Sequence, residues 1–445
     1  MNAAEPPLLL GHICSGWRSV AFALPTLWAS IHIAVDFVDS TEKEVAIVDW
    51  LSRASPLPLA ISIDCGRGRD VLIDTLIPFS SRWSSLHLRN TSQNDDFHRL
   101  AAVEAPMLMD ITVVFEDCFA PEEGLDILSS KIFPGKLVKK IAIASRNPYN
   151  LISRHKPFTW DHITDLVLEY IPKSPWQVPV GQYHGAPMAP EDAHVLLKNC
   201  PHLKCLKFPL IGSHHVEFHE LLTIACLESL VIESYAPTSV IFGAFLDNVV
   251  LPRLTKFHII SRRDSAQGSP RLGTAFTAAI QRFMERSPLL SDVHLNRLDF
   301  FRTLHFVRCL RKFSCLQKLE LVLWTPQVLD ESKWCDASDI DEARLFGILA
   351  PNANAEDFRG WPALEELSVE SQTSDGETWM SLLRAHLNLR TNLRRFDLHV
   401  WHRSTTGFAI KVSAPDLTEF TSRGLNVSVK QSTLILKRAT SWEGI

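Results

Sequence analysis

Pro201-His-Leu203-Lys-Cys-Leu206-Lys-Phe208 and Pro362-Ala-Leu364-Glu-Glu-Leu367-Ser-Val369 follow one pattern. An apolar residue is followed three positions later by a second and two positions after that by a third. The same spacing recurs in Leu227-Leu230-Ile232, Leu316-Leu319-Leu321 and Leu393-Phe396-Leu398. Weaker copies start at Trp83, Leu108, Val138, Ile163, Leu254 and Leu290, and a degenerate twelfth at Leu417 has Ser422 in its third place. Residues two apart point to the same side of a strand, so the second and third apolar positions predict a short strand with one buried face.

The intervals between first residues are 25, 30, 25, 40, 24, 27, 36, 26, 48, 29 and 24. Most lie near the roughly 20–29-residue period of leucine-rich repeats, in which a strand alternates with a helix or 3₁₀ segment. The long intervals read as a unit plus an inserted loop. Insertions are expected near 172–190, 261–273 and 325–358. Between triplets, segments such as 191–200, 273–286, 302–313 and 378–389 carry helical periodicity. Strands alternating with helices imply a parallel sheet, so the expected class is α/β: a leucine-rich-repeat solenoid over residues 36–445. Alternation after Leu425, through Val427 and Val429 to Ile435, predicts terminal strands that cap the stack. Such a fold offers an extended surface rather than a pocket, which favours binding over catalysis.

The first 35 residues differ. Leu9, Ile13, Trp17, Val20 and Ala21 recur at helical spacing and predict an amphipathic helix over 8–23, ended by Pro25. Leu27, Trp28 and Ile31 follow as an apolar cluster. A second helix is expected over 42–53 and a strand through Leu59, Ile61 and Ile63.

The chain has 445 residues, 46% hydrophobic and 21% charged, with a formal net charge of −5. Nothing in that balance points to nucleic acid or an anionic membrane. The nine cysteines are scattered, with no CxxC pair, as expected of reduced thiols in an intracellular compartment, cytoplasm or nucleus. The amino terminus does not read as a signal peptide, and the longest apolar stretch, Val20 to Val35, is too broken to span a bilayer.

No catalytic signature emerges. His214-His215-Val-Glu217-Phe-His219-Glu220 places two histidines four apart but lacks the HExxH order of a zinc enzyme. The acidic run from Asp330 to Glu342 lacks the spacing of a calcium loop, and Gly66-Arg-Gly68 lacks a phosphate-loop lysine. No cofactor and no metal are expected, and the chain reads as a non-enzyme. Partner contacts should come from outward strand positions: His87, Arg89, Lys207, His258, His294, Glu320, Asp397 and His399.

The segment from Pro7 through Cys14, Trp17, Arg18 and Ala21 to Pro25, Leu27, Trp28 and Ile31 resembles the later part of an F-box. It is most similar to the form found in fungal F-box-like proteins with leucine-rich-repeat tails. The leucine-proline start of a complete F-box has no counterpart before Pro7. Trp50-Leu51, Arg82-Trp83 and Trp160-Asp-His-Ile resemble phrases in the repeats of that family. The resemblance implies a substrate receptor of a cullin–RING ubiquitin ligase. Residues 1–35 would dock on a Skp-type adaptor, with Leu10, Ile13, Trp17, Leu27 and Trp28 at or beneath the contact, and the repeats would hold a protein substrate. The alternative is a repeat scaffold without ligase contact.

Overall fold

The computed structural model describes residues 8–34, 41–65, 70–90, 103–115, 137–145, 160–171, 188–210, 220–234, 239–261, 274–296, 313–322, 363–371, 384, 392–404 and 418–435. It is an α/β structure whose parallel sheet has fourteen strands. The chain divides into two compact units, Met1–Pro209 and Leu210–Ile445.

The first unit opens with two short helices, α1 (Leu8–Ile13) and α2 (Ser15–Ala23), in place of the single helix expected over 8–23. The break is at Cys14, whose extended backbone caps α2 while its Sγ accepts the Trp17 N–H at 3.5 Å. A 3₁₀ turn over Pro25–Leu27 leads into β1 (Ser30–Ile33). Ile31, expected in an apolar cluster with Leu27 and Trp28, is therefore a strand residue. The sheet starts inside the amino-terminal segment because Ile31 and Ile33 alternate with His32 and bury on one side.

Next come α3 (Thr41–Arg53), β2 (Leu59–Cys65), α4 (Asp70–Leu76) and β3 (Trp83–Asn90). The unit continues through β4 (Asp110–Phe115), β5 (Lys140–Ser145), β6 (Asp165–Tyr170), α5 (Pro190–Asn199) and β7 (Cys205–Leu210). β1 through β7 pair as parallel neighbours in chain order.

The second unit contains β9 (Ser229–Ser234), β11 (Lys256–Ser261), β12 (Asp292–Asn296), β13 (Lys318–Val322), β14 (Glu366–Ser371), β15 (Arg395–Ser404) and β16 (Asn426–Ile435). Each is parallel to the next. Two-residue strands β8 (Leu222–Thr223) and β10 (Val249–Val250) form a separate parallel pair. Helices α6 (Ser239–Asp247) and α7 (Thr274–Glu285) are joined by a two-pronged Arg282–Asp247 ion pair at 2.8 and 2.5 Å. Phe283 of α7 meets Phe257 of β11 at 4.9 Å between ring centres, both fully buried.

The repeat grammar has a plain physical basis. All residues of the eleven apolar triplets are buried, Leu393 being the most exposed at 9%. In several repeats the first residue of the triplet lies just before its strand, and its N–H closes a turn onto the carbonyl three residues back. Leu108 bonds Ala105, Ile163 bonds Trp160, Leu203 bonds Cys200, Leu254 bonds Leu251 and Leu290 bonds Ser287. Those five turn residues are buried too, making a fourth core position in each of these five repeats. Proline follows that position in four of the five turns, where its fixed φ suits the second residue of a type I turn.

The next carbonyl along receives two amides from the neighbouring repeat. Thr255 O accepts from Ser291 and Asp292, and Ser291 O from Gln317 and Lys318. Gln317 O accepts from Glu365 and Glu366, and Glu365 O from Arg394 and Arg395. This repeated double acceptor locks each strand in the same register as the last.

The degenerate twelfth copy is not a strand. Phe420 lies buried in α8 (Thr418–Ser422), and Gly424, at φ +83°, turns the chain so that β16 starts at Asn426. Where terminal strands are expected after Leu425, the described residues form one strand, β16, in register with β15 over ten residues. Helices appear where 191–200 and 273–286 predicted them. The three inserted loops fall almost wholly outside the described residues, as do most of the helical segments 302–313 and 378–389.

Candidate functional site

Among the described residues, two surfaces stand out as candidates for contact. The first is the amino-terminal helix pair. Leu9, Ile13, Trp17, Val20 and Leu24 are spaced four, four, three and four residues apart, and each is between 42% and 57% exposed. Only Ala21 of α2 is buried, so the apolar residues of α1, α2 and Leu24 are left in contact with water.

Beneath it, Trp28 is a core residue, 1% exposed. Its Nε1 donates to Ala21 O at 2.8 Å, and its ring meets Trp50 of α3 edge-on at 4.9 Å. Phe22 packs on it at 5.7 Å, and the Arg53 guanidinium lies 4.2 Å over Phe22 and 4.8 Å over Trp28. Of the five residues the F-box resemblance points to, Ile13 and Trp17 are therefore exposed. Leu10 and Leu27 are half-buried, and Trp28 is the anchor under the surface.

The second surface is the polar face of the sheet. Candidates from the sequence divide between the units. In the first unit, Arg89 lies 4.0 Å from Asp64, Lys207 pairs with Glu169 at 2.5 Å, and His87 stands between Ser62 and Thr112.

In the second unit the strand register collects four of the remaining five into one row. His258, His294, Glu320, Ser368 and Asp397 are successive lateral neighbours from β11 to β15. The rings of His258 and His294 lie 5.1 Å apart, and His294 Nδ1 is 2.9 Å from Glu320. His399 is in the next row, beside Glu370 at 3.8 Å.

The row on the other side is one that sequence reasoning misses. Lys256, Asp292, Lys318, Glu366 and Arg395 are lateral neighbours and alternate in sign across five strands. Lys256 lies 4.0 Å from Asp292, Lys318 3.9 Å from Glu366, and Arg395 donates to Asp397 at 2.6 Å. A signal for it exists: each of the five sits two residues after the first apolar position of its repeat, the outward parity shared with the chosen candidates. A shallow depression over this region is lined by Lys318, Glu320, Glu366, Ser368, Arg395 and Asp397.

The two carboxylates nearest the histidines are perturbed. Burial pushes the Asp292 carboxyl up, but the His258 hydrogen bond and the charges of His258, Lys318 and Lys256 outweigh it and hold the group below its ordinary value. Glu320 is held down first by the His294 hydrogen bond, against burial, with His294, Lys318 and His258 adding positive potential.

Comparison with protein-family models and with curated proteins finds no match for this sequence.

Among the described residues no cluster of His, Cys, Asp or Glu is arranged to hold a metal ion. Nor is any helix there long and apolar enough to cross a membrane. The His214–Glu220 cluster, the acidic run 330–342 and Gly66–Gly68 lie outside the described residues, apart from Glu220. Cys14 and Cys315 are exposed thiols, while Cys200 is buried and its thiol is pushed up to about 12 by desolvation.

Proposed function

We propose that this chain is a substrate receptor of a cullin–RING ubiquitin ligase. Its amino-terminal helix pair binds a Skp-type adaptor, and its repeat surface binds a protein substrate. The observation that carries the reading is the exposed stripe Leu9, Ile13, Trp17, Val20 and Leu24, braced from below by Trp28. An unburied aromatic among exposed aliphatic residues, carried on α1, α2 and the residue that closes α2, is the anchor pattern of a protein contact. The mechanism is proximity: substrate and ligase are held on one chain, and the transfer chemistry belongs to other subunits.

The second reading, a repeat scaffold without a ligase, draws on the charged face of the second unit, which is built without any amino-terminal residue.

The experiment is capture of purified Skp-type adaptor by the full chain, with Ile13→Asp/Trp17→Asp as the comparison. Both side chains are about half exposed, so the double variant keeps its fold. Capture by the parent and not by the variant, at equal melting temperature, is the expected result. Equal capture by both, or by neither, overturns the ligase reading.

A further inference from the structure

Resting on the reading of the sheet face as the substrate side, we infer that the substrate element docking on the second unit is an α-helix. Its exposed stripe carries charges of alternating sign, and it lies across the strands along Lys256, Asp292, Lys318, Glu366 and Arg395. These five side chains run plus, minus, plus, minus, plus in successive parallel strands. Neighbouring strands are about 4.8 Å apart, so the row repeats at that interval and spans roughly 19 Å.

Spacing selects the partner. A helix presents one residue on a given face per turn, about every 5.4 Å, and over the same five positions spans roughly 22 Å. An extended strand presents its same-face residues about every 6.7 Å and spans roughly 27 Å, so it falls out of step after two or three contacts. A helix bearing acid, base, acid, base, acid at one-turn intervals faces each charge of the row with its opposite. Such a stripe also stabilises its own helix through pairs three and four residues apart.

Within the row the ion pairs are long, while Asp292 also meets His258 at 3.3 Å and Arg395 meets Asp397 at 2.6 Å. The lateral pairs, Lys256–Asp292 and Lys318–Glu366, stand at 4.0 and 3.9 Å, with side chains 25–45% exposed. Contacts of that length and exposure are worth little and exchange readily for a partner's charge. A partner carrying one sign only would meet a like charge at every second strand, which is how the pattern discriminates.

The probes are two synthetic alanine-based helical peptides. One carries Glu, Lys, Glu, Lys, Glu at one-turn intervals; the other has the signs exchanged. A compensating charge on the far side makes their net charges equal. Binding to the full chain is measured by fluorescence anisotropy at low salt. The expected result is about ten-fold tighter binding of the first peptide, lost when the salt is raised to about 0.5 M. In Lys318→Glu/Glu366→Lys, which keeps a paired couple but inverts two of five signs, the preference should fall to about two-fold or less. Equal binding of both peptides to the parent chain, binding of neither, or a preference the exchange leaves unchanged overturns the inference. Adaptor capture by the exchanged variant is read separately, so failure here is distinguishable from failure of the ligase reading.

Discussion

His294 on β12 stands directly beside Glu320 on β13, its Nδ1 2.9 Å from the carboxylate. One strand over, His258 reaches Asp292 at 3.3 Å. Both carboxyls are held below their ordinary values, so around pH 4 the folded chain binds fewer protons than the unfolded one. Their contribution is complete above the unfolded pKa values, about 3.9 for Asp and 4.3 for Glu, and is lost as the pH falls through the lower, folded values. Urea midpoints measured from about pH 6 down to about pH 3 should therefore fall more steeply for the parent than for Asp292→Asn/Glu320→Gln. Parallel slopes would sink this account of the pairs.

Trp17 and Trp28 lie eleven residues apart and should behave as opposites. Trp28→Ala removes a buried ring, its hydrogen bond to Ala21 and its contact with Trp50, and should cost about 3–5 kcal/mol. Trp17→Ala, at a half-exposed position, should stay within about 0.5 kcal/mol. Thermal melts of the two variants decide it, and a large loss at Trp17 would mean the stripe is structural rather than a contact surface.

Gly424 ends α8 at φ +83°, where its N–H bonds Thr421 O at 3.0 Å. Nothing lies within 4 Å of a Cβ built there, so the penalty for a side chain is conformational, not steric. Gly424→Ala should destabilise by about 1–2 kcal/mol and Gly424→Asn by clearly less, as read from denaturant midpoints.

Cys200 faces the core and its thiol is pushed up to about 12, whereas Cys14 and Cys315 are exposed. The thiolate is the reactive form, so iodoacetamide at pH 8 should label Cys14 and Cys315 in the native chain. Cys200 should react only in denaturant. Peptide mapping by mass spectrometry reads all three, and native labelling of Cys200 would contradict its burial.

The buried half of each repeat is legible in the amino-acid sequence. Leu316, Leu319 and Leu321 are spaced as a turn and a strand require and are fully buried, and their counterparts elsewhere are buried too. The fourth core position is not legible there, because Ala105, Trp160, Cys200, Leu251 and Ser287 share burial but no side-chain chemistry. Their common feature is a backbone bond to the residue three ahead. At the amino terminus, helical spacing predicts an apolar stripe but not which way it faces. Leu9, Ile13 and Trp17 are exposed, whereas Trp28 and Trp50 are buried against each other.

Sequence by itself determined the α/β class and the positions and parity of the strands carrying the eleven apolar triplets, since a side chain's face follows from local period alone. It did not predict β1, β8 or β10. Tertiary structure decided who stands beside whom. Lys318 and Glu366 are 48 residues apart in the chain, yet the register makes them neighbours, and the alternating row exists only through that pairing. Outward positions carry no burial requirement, so the sequence marks where they fall in each repeat but not which residues of other repeats stand beside them. Their arrangement comes from the lateral hydrogen bonds that align each repeat with the next.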